Sequence, residues 1–236
     1  MLERQPARVL TVRLAEQRED PRVRAIEALA RQQQRPVQRV DMHSLKQQLG
    51  DVAHQGVAAD ITPLPPWTED QLLLALQDAQ SPLLLALDGV QDPHNLGACL
   101  RTADACGALA VIVPRDRAAQ LTPAVRKVAV GAAETTPVVA VTNLVRTLKL
   151  LKDAGLWVIG ADAAAERPAA EADLKGPLVL VLGAEGAGLQ RLTRENCDFM
   201  VRLPQLGAVE SLNVSVAAGM LLYEAVRQRA HQTTPL

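Results

Sequence analysis

Apolar runs alternate with amphipathic segments through the last two thirds of the chain. Runs that favour buried strands lie at 82–87, 109–113, 137–141, 156–160, 177–182 and 199–203. Segments with helical periodicity separate these runs. Nearly all-apolar strands that alternate with helices are typical of a parallel sheet covered on both faces. The predicted fold class is therefore α/β with a parallel sheet.

Capping signals set the predicted helix boundaries in this region. The helices are expected after Asn95 up to Gly107, from Pro123 to about Gly131, over 143–154 behind a Thr142 cap, and over about 212–229. The last of them is expected to carry four apolar residues on one side, namely Val216, Met220, Leu221 and Val226. Asn213 falls in its first turn, where helix propensity gives no reason for an asparagine.

A shorter α/β pattern precedes a proline-rich stretch. It predicts strands at 9–14, 37–40 and 54–59, a helix that opens at Asp20-Pro21, and a second helix from Asp41 to Gly50. Three prolines in Ile61–Trp67 indicate a stiff linker. The predicted organisation is a small domain at 1–60, a linker with a connecting helix at 61–78, and a larger domain at 79–236.

Composition narrows the class of protein. The chain is 48% hydrophobic and 22% charged, which is ordinary for a globular protein, and its apolar runs are far shorter than a membrane span of about 20 residues. It has three cysteines without a CxxC motif and four histidines without metal-ligand spacing. We therefore expect a cytoplasmic protein without a secretory signal, a membrane span or a bound metal.

The net charge of −1 hides an uneven distribution. Residues 1–40 contain nine arginines and five acids (+4), and residues 41–236 contain 16 basic and 21 acidic side chains (−5). Such asymmetry is compatible with a nucleic-acid-facing arm and equally with an arginine-rich solvated helix face. Aromatic residues make up only 2% of the chain, which argues against recognition of bases by stacking.

Three predicted strands end in segments rich in glycine and polar residues. These are DGVQDPHNLGACLR at 88–101, GAEGAG at 183–188 and LPQLGAVESLN at 203–213. In open parallel sheets the ligand crevice lies beyond the carboxyl ends of the strands. The glycine order G-x-x-G-x-G differs from the dinucleotide fingerprint and from the P-loop, and no acidic ribose ligand follows it at the usual distance.

Purely structural roles also fit these residues. Asn95 is a candidate N-cap, Arg101 a candidate surface partner of Asp104, and Ser211 a candidate cap of the last helix. The glycines could make only a tight turn, although that would not explain Glu185 in its middle. A hydrolase triad of Ser211, His94 and Asp88 is disfavoured, because the chain has no G-x-S-x-G elbow.

Taken together, the three segments resemble the signature motifs of the SpoU/TrmH family of RNA ribose 2′-O-methyltransferases, within the SPOUT superfamily. GAAE at 131–134 also matches, and the resemblance spans about residues 82–229. The front segment, with HQGV at 54–57, resembles the L30e-like substrate domain of bacterial large-subunit rRNA guanosine methyltransferases. Compared with that domain, the usual opening strand and helix are missing, so we expect a shortened version.

The resemblance implies a deep trefoil knot near the C-terminus, S-adenosylmethionine as cofactor and a homodimer. By the same resemblance, the cofactor-binding residues are Gly183, Ala184, Gly188, Leu203 and Leu212. The implied catalytic residues are Asn95, Arg101, Glu185, Ser211 and Asn213.

The function implied is methylation of the ribose 2′-hydroxyl of a guanosine in large-subunit (23S) rRNA. The alternatives are a tRNA substrate, a non-catalytic RNA-binding or ribosome-assembly protein, and a nucleotide-dependent oxidoreductase. Intact candidate catalytic residues argue against the non-catalytic alternative. Because an arginine has a pKa above about 12, we expect Arg101 to hold a phosphate and polarise the hydroxyl rather than act as the base.

Overall fold

The computed structural model describes residues 1–3, 5–16, 20–50, 54–209 and 211–230. The chain divides into two compact units, Met1–Leu64 and Pro65–Leu236, and the division falls within the proline-rich stretch. Each unit has its own hydrophobic core. Within the described residues, no helix is long and apolar enough to cross a membrane.

The first unit is built on a three-stranded sheet. Its strands are β1 (Val9–Ala15), β2 (Val37–Val40) and β3 (Val57–Ile61), and its helices are α1 (Pro21–Gln32) and α2 (Met42–Leu49). The central strand β1 pairs with β2 in parallel and with β3 in antiparallel orientation. Its small core contains Val9, Val12, Leu14, Val23 and Ala30.

The last strand of this unit begins later than the predicted range 54–59. Gln55 and Gly56 have positive φ angles of 50° and 77°, and the Gly56 amide donates to His54 Nδ1 over 3.1 Å. Positive φ is incompatible with a regular strand. The sequence His-Gln-Gly therefore forms a turn, and β3 starts only at Val57.

Part of the positive charge of the front segment is paired within the first unit. Arg13 contacts Asp60 at 2.6 Å, and Glu27 pairs with both Arg31 and Arg39. Residues 41–64 add one lysine and three aspartates, so residues 1–64 contain ten basic and eight acidic side chains and their net charge is +2 rather than +4. The contrast between a basic arm and an acidic remainder is weaker in the folded unit than along the chain.

The second unit contains a six-stranded parallel sheet. The strands are β4 (Leu83–Asp88), β5 (Ala110–Pro114), β6 (Val138–Val141), β7 (Trp157–Ala161), β8 (Leu178–Gly183) and β9 (Phe199–Val201). Their order is β6-β5-β4-β8-β7-β9, and every pairing is parallel. The predicted parallel α/β fold is confirmed.

Helices cover both faces of this sheet. They are α3 (Glu69–Gln77), α4 (Pro93–Ala105), α5 (Pro123–Ala129), α6 (Leu144–Asp153), α7 (Arg191–Glu195) and α8 (Val214–Ala230). Alternate residues of β4 belong to two different apolar clusters, one shared with α4, α5 and α8 and the other with α3 and α6. Because successive strand residues point to opposite faces, these clusters lie on the two sides of the sheet.

Three helix starts differ from the prediction. Asp92 rather than Asn95 caps α4 and accepts from the His94 amide at 2.9 Å. Asn143 rather than Thr142 caps α6. The last helix starts at Val214 instead of 212, so Asn213 precedes it and Ser211 does not cap it. In each case a carboxylate or amide side chain is the cap, in keeping with its strength as an acceptor.

The exposed side of α8 also differs from the prediction. Val216 and Met220 are 51% and 45% exposed, whereas Leu221 is buried. Leu221 follows Val216 by five positions, which places it on another side of a helix with 3.6 residues per turn. Val216, Met220 and Tyr223 instead form an apolar stripe that this unit leaves exposed.

Candidate active site

The three glycine-rich and polar segments meet at the carboxyl edge of the parallel sheet. Strands β4 and β8 are neighbours, and Asp88 pairs in register with Gly183. The segment at 203–213 follows β9 and leads into α8. The arrangement is the expected one, because all parallel strands end at the same edge.

Asn95, Glu185 and Asn213 form a hydrogen-bonded network at this edge. The Asn95 side-chain amide donates to Glu185 Oε1 at 3.2 Å, and the Asn213 side-chain amide donates to Asn95 Oδ1 at 2.9 Å. Asn213 also donates to Glu185 Oε1. Each residue comes from a different segment, and each fixes the orientation of the other two.

The amino end of α8 adds to this network. Its first amide, that of Val214, donates to Glu185 Oε1 at 3.2 Å. Asn213 Oδ1 accepts from the Ser215 amide at 2.9 Å, in the manner of an N-cap. Glu185 thus lies at a helix N-terminus, where a carboxylate interacts favourably with the helix dipole. In the described part of the chain its second oxygen, Oε2, has no hydrogen-bond donor.

Arg101 and Ser211 lie outside this network. Arg101 is exposed on α4 and forms no hydrogen bond or ion pair with any described residue. The proposed pairing with Asp104 is wrong, since Asp104 accepts from the hydroxyls of Thr135 and Thr136. Ser211 is exposed and lines the cavity beside the network.

Asp88 has a structural role at the same edge. It is buried, its Oδ2 accepts from the Gln190 amide at 2.8 Å, and its Oδ1 accepts from Gln190 Nε2 at 3.1 Å. Both carboxylate oxygens are therefore engaged in fastening the end of the glycine-rich loop to β4. This leaves Asp88 unsuited to the hydrolase triad that the sequence already disfavoured.

A cavity of about 350 Å³ lies next to Glu185. Its lining includes all five residues that the family resemblance assigns to the cofactor, Gly183, Ala184, Gly188, Leu203 and Leu212. The volume is within the range of about 300–1,000 Å³ that is usual for small-molecule sites. Cavities of about 450 and 460 Å³ lie elsewhere and contain no residue of the three segments, so size alone does not identify the site.

The cavity lining fits S-adenosylmethionine, which combines an apolar purine with a ribose diol and a charged amino-acid group. Apolar side chains from β8, β9, α8 and the 203–213 segment supply one part of the lining: Leu182, Val201, Leu203, Leu212, Val214 and Ala217. Polar and charged side chains supply another: Asp162, Glu185, Arg194, Gln205 and Ser211. A site for this cofactor needs both kinds of surface.

Gly183 is required by the close approach of two backbone segments. A Cβ atom at this position would lie 2.0 Å from the carbonyl carbon of Gly188. Ala184 and Gly188 form an isolated antiparallel bridge across the same loop. The glycine-rich order therefore reflects a loop that folds back on the end of β8, where its main chain lines the cavity.

Asp162 and Arg194 are cavity residues that the sequence analysis missed. Asp162 follows β7 directly, and Arg194 lies on α7; the two form an ion pair. In the dinucleotide fingerprint the acidic ribose ligand follows the glycine-rich loop, whereas Asp162 precedes this loop and becomes its neighbour through the sheet order. An acidic residue at the end of any predicted strand would have been the useful signal.

The described residues contain no group of three or more His, Cys, Asp or Glu side chains arranged to hold a metal ion. Burial raises the pKa of the Cys99 thiol to about 12 and that of Cys197 to about 11. These two thiols are therefore protonated at neutral pH and are poor nucleophiles.

A parallel α/β domain with a glycine-lined cavity at its carboxyl edge is typical of enzymes that bind a nucleoside-containing cofactor. Residues 82–223 match the SpoU rRNA Methylase family, and residues 2–67 match the RNA 2'-O ribose methyltransferase substrate binding family. The chain belongs to the SpoU rRNA methylase family, and its cofactor is S-adenosylmethionine.

Relatives match along nearly the whole chain. The 23S rRNA (guanosine-2'-O-)-methyltransferase RlmB of Pseudomonas syringae pv. tomato is 54% identical over 236 residues, covering 100% of this chain and 94% of its own. The RlmB of Haemophilus influenzae is 49% identical and covers 97% of this chain and 94% of its own.

Solved structures of the same family superpose on this fold. The SpoU methyltransferase AviRb from Streptomyces viridochromogenes, in complex with the cofactor AdoMet, has a TM-score of 0.73 at 25% identity and covers 94% of this chain and 84% of its own. A TrmH/SpoU tRNA modifying enzyme from A. aeolicus has a TM-score of 0.60 at 30% identity and covers 70% of this chain and 85% of its own.

Proposed function

We propose that this protein transfers a methyl group from S-adenosylmethionine to the ribose 2′-hydroxyl of a guanosine in 23S rRNA. The observation that carries the proposal is the network of Asn95, Glu185 and Asn213 beside a cavity that fits the cofactor. The two RlmB relatives, at 54% and 49% identity, support the choice of nucleotide and RNA.

Gly183, Ala184, Gly188, Leu203 and Leu212 would hold the cofactor, mainly through the main chain of the two loops they belong to. The cofactor supplies an electrophilic methyl group on a sulfonium. The task of the protein is then to align the ribose hydroxyl with that methyl and to keep water out. Near-attack alignment of two reactants is worth about 7–11 kcal/mol of the barrier.

Glu185 would orient the acceptor hydroxyl. Its Oε1 is occupied by three donors, whereas Oε2 is available to accept from the 2′-hydroxyl. Asn95 and Asn213 keep the carboxylate in place, and Ser211 contributes a hydroxyl at the cavity. Assistance to proton removal of this kind typically adds about 10²–10⁴-fold to a rate.

Arg101 would act through its charge. Without a partner among the described residues, its guanidinium is available to bind the phosphate beside the target ribose. A cation close to the 2′-hydroxyl lowers the pKa of that hydroxyl and favours its ionisation. A role as proton acceptor would require a neutral guanidine, which the high pKa of arginine opposes.

The first unit would bind the RNA substrate as an L30e-like domain. The match of residues 2–67 to a substrate-binding family supports this role. Arginines of this unit would contact phosphates without sequence preference, so affinity should fall steeply with salt.

We further infer a homodimer whose second unit carries a trefoil knot. The apolar stripe of Val216, Met220 and Tyr223 on α8 supports a subunit interface. Convergence of the 183–188 and 203–213 segments on one cavity is compatible with a knot. An rRNA substrate and three free cysteines, of which Cys99 is buried, agree with a cytoplasmic location.

A tRNA substrate is less well supported. The tRNA modifying enzyme of A. aeolicus covers 70% of this chain, whereas the RlmB relatives cover 97% and 100% of it. A non-catalytic role would account for the cap on α8 but not for Glu185 Oε2, which accepts from no described residue beside the cavity. A nucleotide-dependent oxidoreductase would not require the network.

The decisive test uses purified protein, radiolabelled S-adenosylmethionine and either 23S rRNA or bulk tRNA lacking the modification. We expect incorporation into a single 23S rRNA nucleotide as alkali-resistant 2′-O-methylguanosine. The variant Glu185→Gln should reduce incorporation strongly while RNA binding persists. Incorporation into tRNA alone, or equal incorporation by Glu185→Gln, would contradict the proposal.

A further inference from the structure

Asp162 lines the cofactor cavity and directly follows β7, the strand that neighbours β8 and its glycine-rich loop. Strand β7 ends at Ala161, and it pairs with β8, whose end continues into that loop. Asp162 is therefore at the carboxyl edge of the sheet, one strand away from Gly183. Its side chain is mostly buried, with 13% exposed.

The same juxtaposition occurs in doubly wound dinucleotide-binding folds, where a glycine-rich turn follows one strand. An acidic residue at the end of the adjacent strand then accepts hydrogen bonds from a ribose hydroxyl. The order of the segments along the chain is reversed here, since Asp162 precedes the glycine-rich loop. Hydrogen bonding to a diol depends on the spatial arrangement and not on the order of segments.

Asp162 has the capacity for such a contact. One oxygen accepts from the Ala164 amide at 2.7 Å, and the other pairs with Arg194. A carboxylate has about four lone-pair sites, so further donors can be accepted. S-adenosylmethionine offers two adjacent hydroxyl donors on its ribose.

Arg194 fixes the direction of this carboxylate. It lies on α7, and the residue before that helix, Gln190, is held by the buried Asp88. The short helix is thus fastened at its start to β4 and near its end to Asp162. Glu195, on the same helix, pairs instead with Arg191 in an exposed position and does not line the cavity.

We propose that Asp162 binds the ribose diol of S-adenosylmethionine, with Arg194 as the positioning residue that directs its carboxylate into the cavity. The proposal rests on the assignment of this cavity to the cofactor. It adds a charged side-chain contact to a site whose other assigned residues would hold the cofactor mainly through their main chain, and it allows the cavity to distinguish ribose from deoxyribose.

The test measures binding by calorimetry with S-adenosylhomocysteine and with its 2′-deoxy analogue. A hydrogen bond to a charged group is worth about 10- to 100-fold in affinity. The unaltered protein should therefore bind the ribose form about 10-fold or more tightly than the deoxy form. Asp162→Ala should abolish that preference, because it should weaken binding of the ribose form more than that of the deoxy form, which keeps only the 3′-hydroxyl.

Two further variants complete the test. Arg194→Ala should reduce the preference and Arg194→Lys should restore part of it, while the control Glu195→Gln should retain it in full. Equal binding of both ligands by the unaltered protein overturns the proposal, and so does an equal loss of both ligands in Asp162→Ala. If Gly183→Ala abolishes the binding of both ligands while Asp162→Ala binds both as the unaltered protein does, the cavity assignment holds and the Asp162 assignment fails.

Discussion

The side-chain amide of Asn213 donates to Oδ1 of Asn95, which lies 118 positions earlier in the chain, over a distance of 2.9 Å. Both side chains also donate to Glu185 Oε1. A network in which every member holds the other two should respond as a unit. We therefore expect strongly non-additive effects when two of these residues are replaced together.

Asn213→Ala should lower both activity and stability. Loss of the cap on α8 costs about 1 kcal/mol, which corresponds to about 2–4 °C in Tm for a protein of this size. Loss of the contacts to Asn95 and Glu185 should lower kcat by about 100-fold, since small misplacements of reacting groups have effects of this size. Thermal melts and methyl incorporation measure the two effects.

Asn213→Asp separates these effects. The aspartate keeps an acceptor for the helix cap and adds a charge that favours the helix N-terminus. It removes the amide donor and places a second carboxylate beside Glu185. We expect a Tm close to that of the unaltered protein with a large loss of activity; full activity would show that the amide donor is dispensable.

Gly183→Ala should abolish cofactor binding. The added Cβ would lie 2.0 Å from the Gly188 carbonyl carbon, so the loop that lines the cavity has to move. Gly176→Ala is the matched control, because a Cβ at Gly176 meets no atom within 4 Å. Calorimetry with S-adenosylhomocysteine should detect binding to the control only. Unimpaired binding by Gly183→Ala would show that the loop adapts.

Alanine substitutions at two helical glycines should change the stability of the protein in opposite directions. A Cβ at Gly97 would lie 2.6 Å from Val128 Cβ, and such overpacking costs about 1–3 kcal/mol. A Cβ at Gly219 would meet Thr102 Cγ2 at 3.5 Å, an ordinary contact, so alanine there should stabilise by about 0.5–1 kcal/mol. Denaturant titrations should give a lower free energy of unfolding for Gly97→Ala and a higher one for Gly219→Ala than for the unaltered protein. A shift of the same sign in both variants would contradict the packing described around these two glycines.

Arg101→Lys tests how the arginine acts. If the charge beside the target ribose is what matters, lysine should retain substantial activity with an altered pH profile, whereas Arg101→Ala should not. The pH dependence of kcat and the affinity for RNA are the measurements. Loss of activity to background in the lysine variant, with RNA binding intact, would require a role specific to the guanidinium.

Stability should decrease at alkaline pH because of the buried thiols. The pKa of Cys99 is raised from 9.0 to about 12 by burial, so the thiol stays neutral in the folded protein while it ionises in the unfolded chain. Its contribution is complete below about pH 9 and is lost as the pH rises towards 12, by up to about 1.4 kcal/mol per pH unit. Cys99→Ala should flatten this slope; an unchanged slope would assign the effect to other groups.

The sequence pattern was sufficient to predict which segments form strands. It was not sufficient to predict which strands lie next to each other in the sheet. Six apolar runs became six parallel strands because burial on both faces demands such runs. The placement of β8 between β4 and β7 depends on crossovers that periodicity does not encode. Helix α7 was missed because five residues are too few to show a helical period.

In the candidate site, too, individual residues could be predicted from the sequence but their spatial arrangement could not. Asn95, Glu185 and Asn213 could be singled out in the sequence, but their mutual hydrogen bonds follow from strand order and were not predictable from spacing. Asp162 was not predicted because it is distant from the glycine-rich loop in the sequence, and the two become neighbours only through the pairing of β7 with β8. Asn213 looked anomalous inside a helix because the helix in fact begins one residue later.

The pairing of β4 with β8 has a kinetic consequence. Leu83 pairs with Leu178, so the middle of the sheet closes only after a loop of about 95 residues has been brought together. Folds with such distant contacts acquire their structure slowly. Until β8 arrives, one edge of the apolar strand Leu83–Asp88 is unpaired and can associate with other chains. Slow synthesis at low temperature should therefore favour soluble protein.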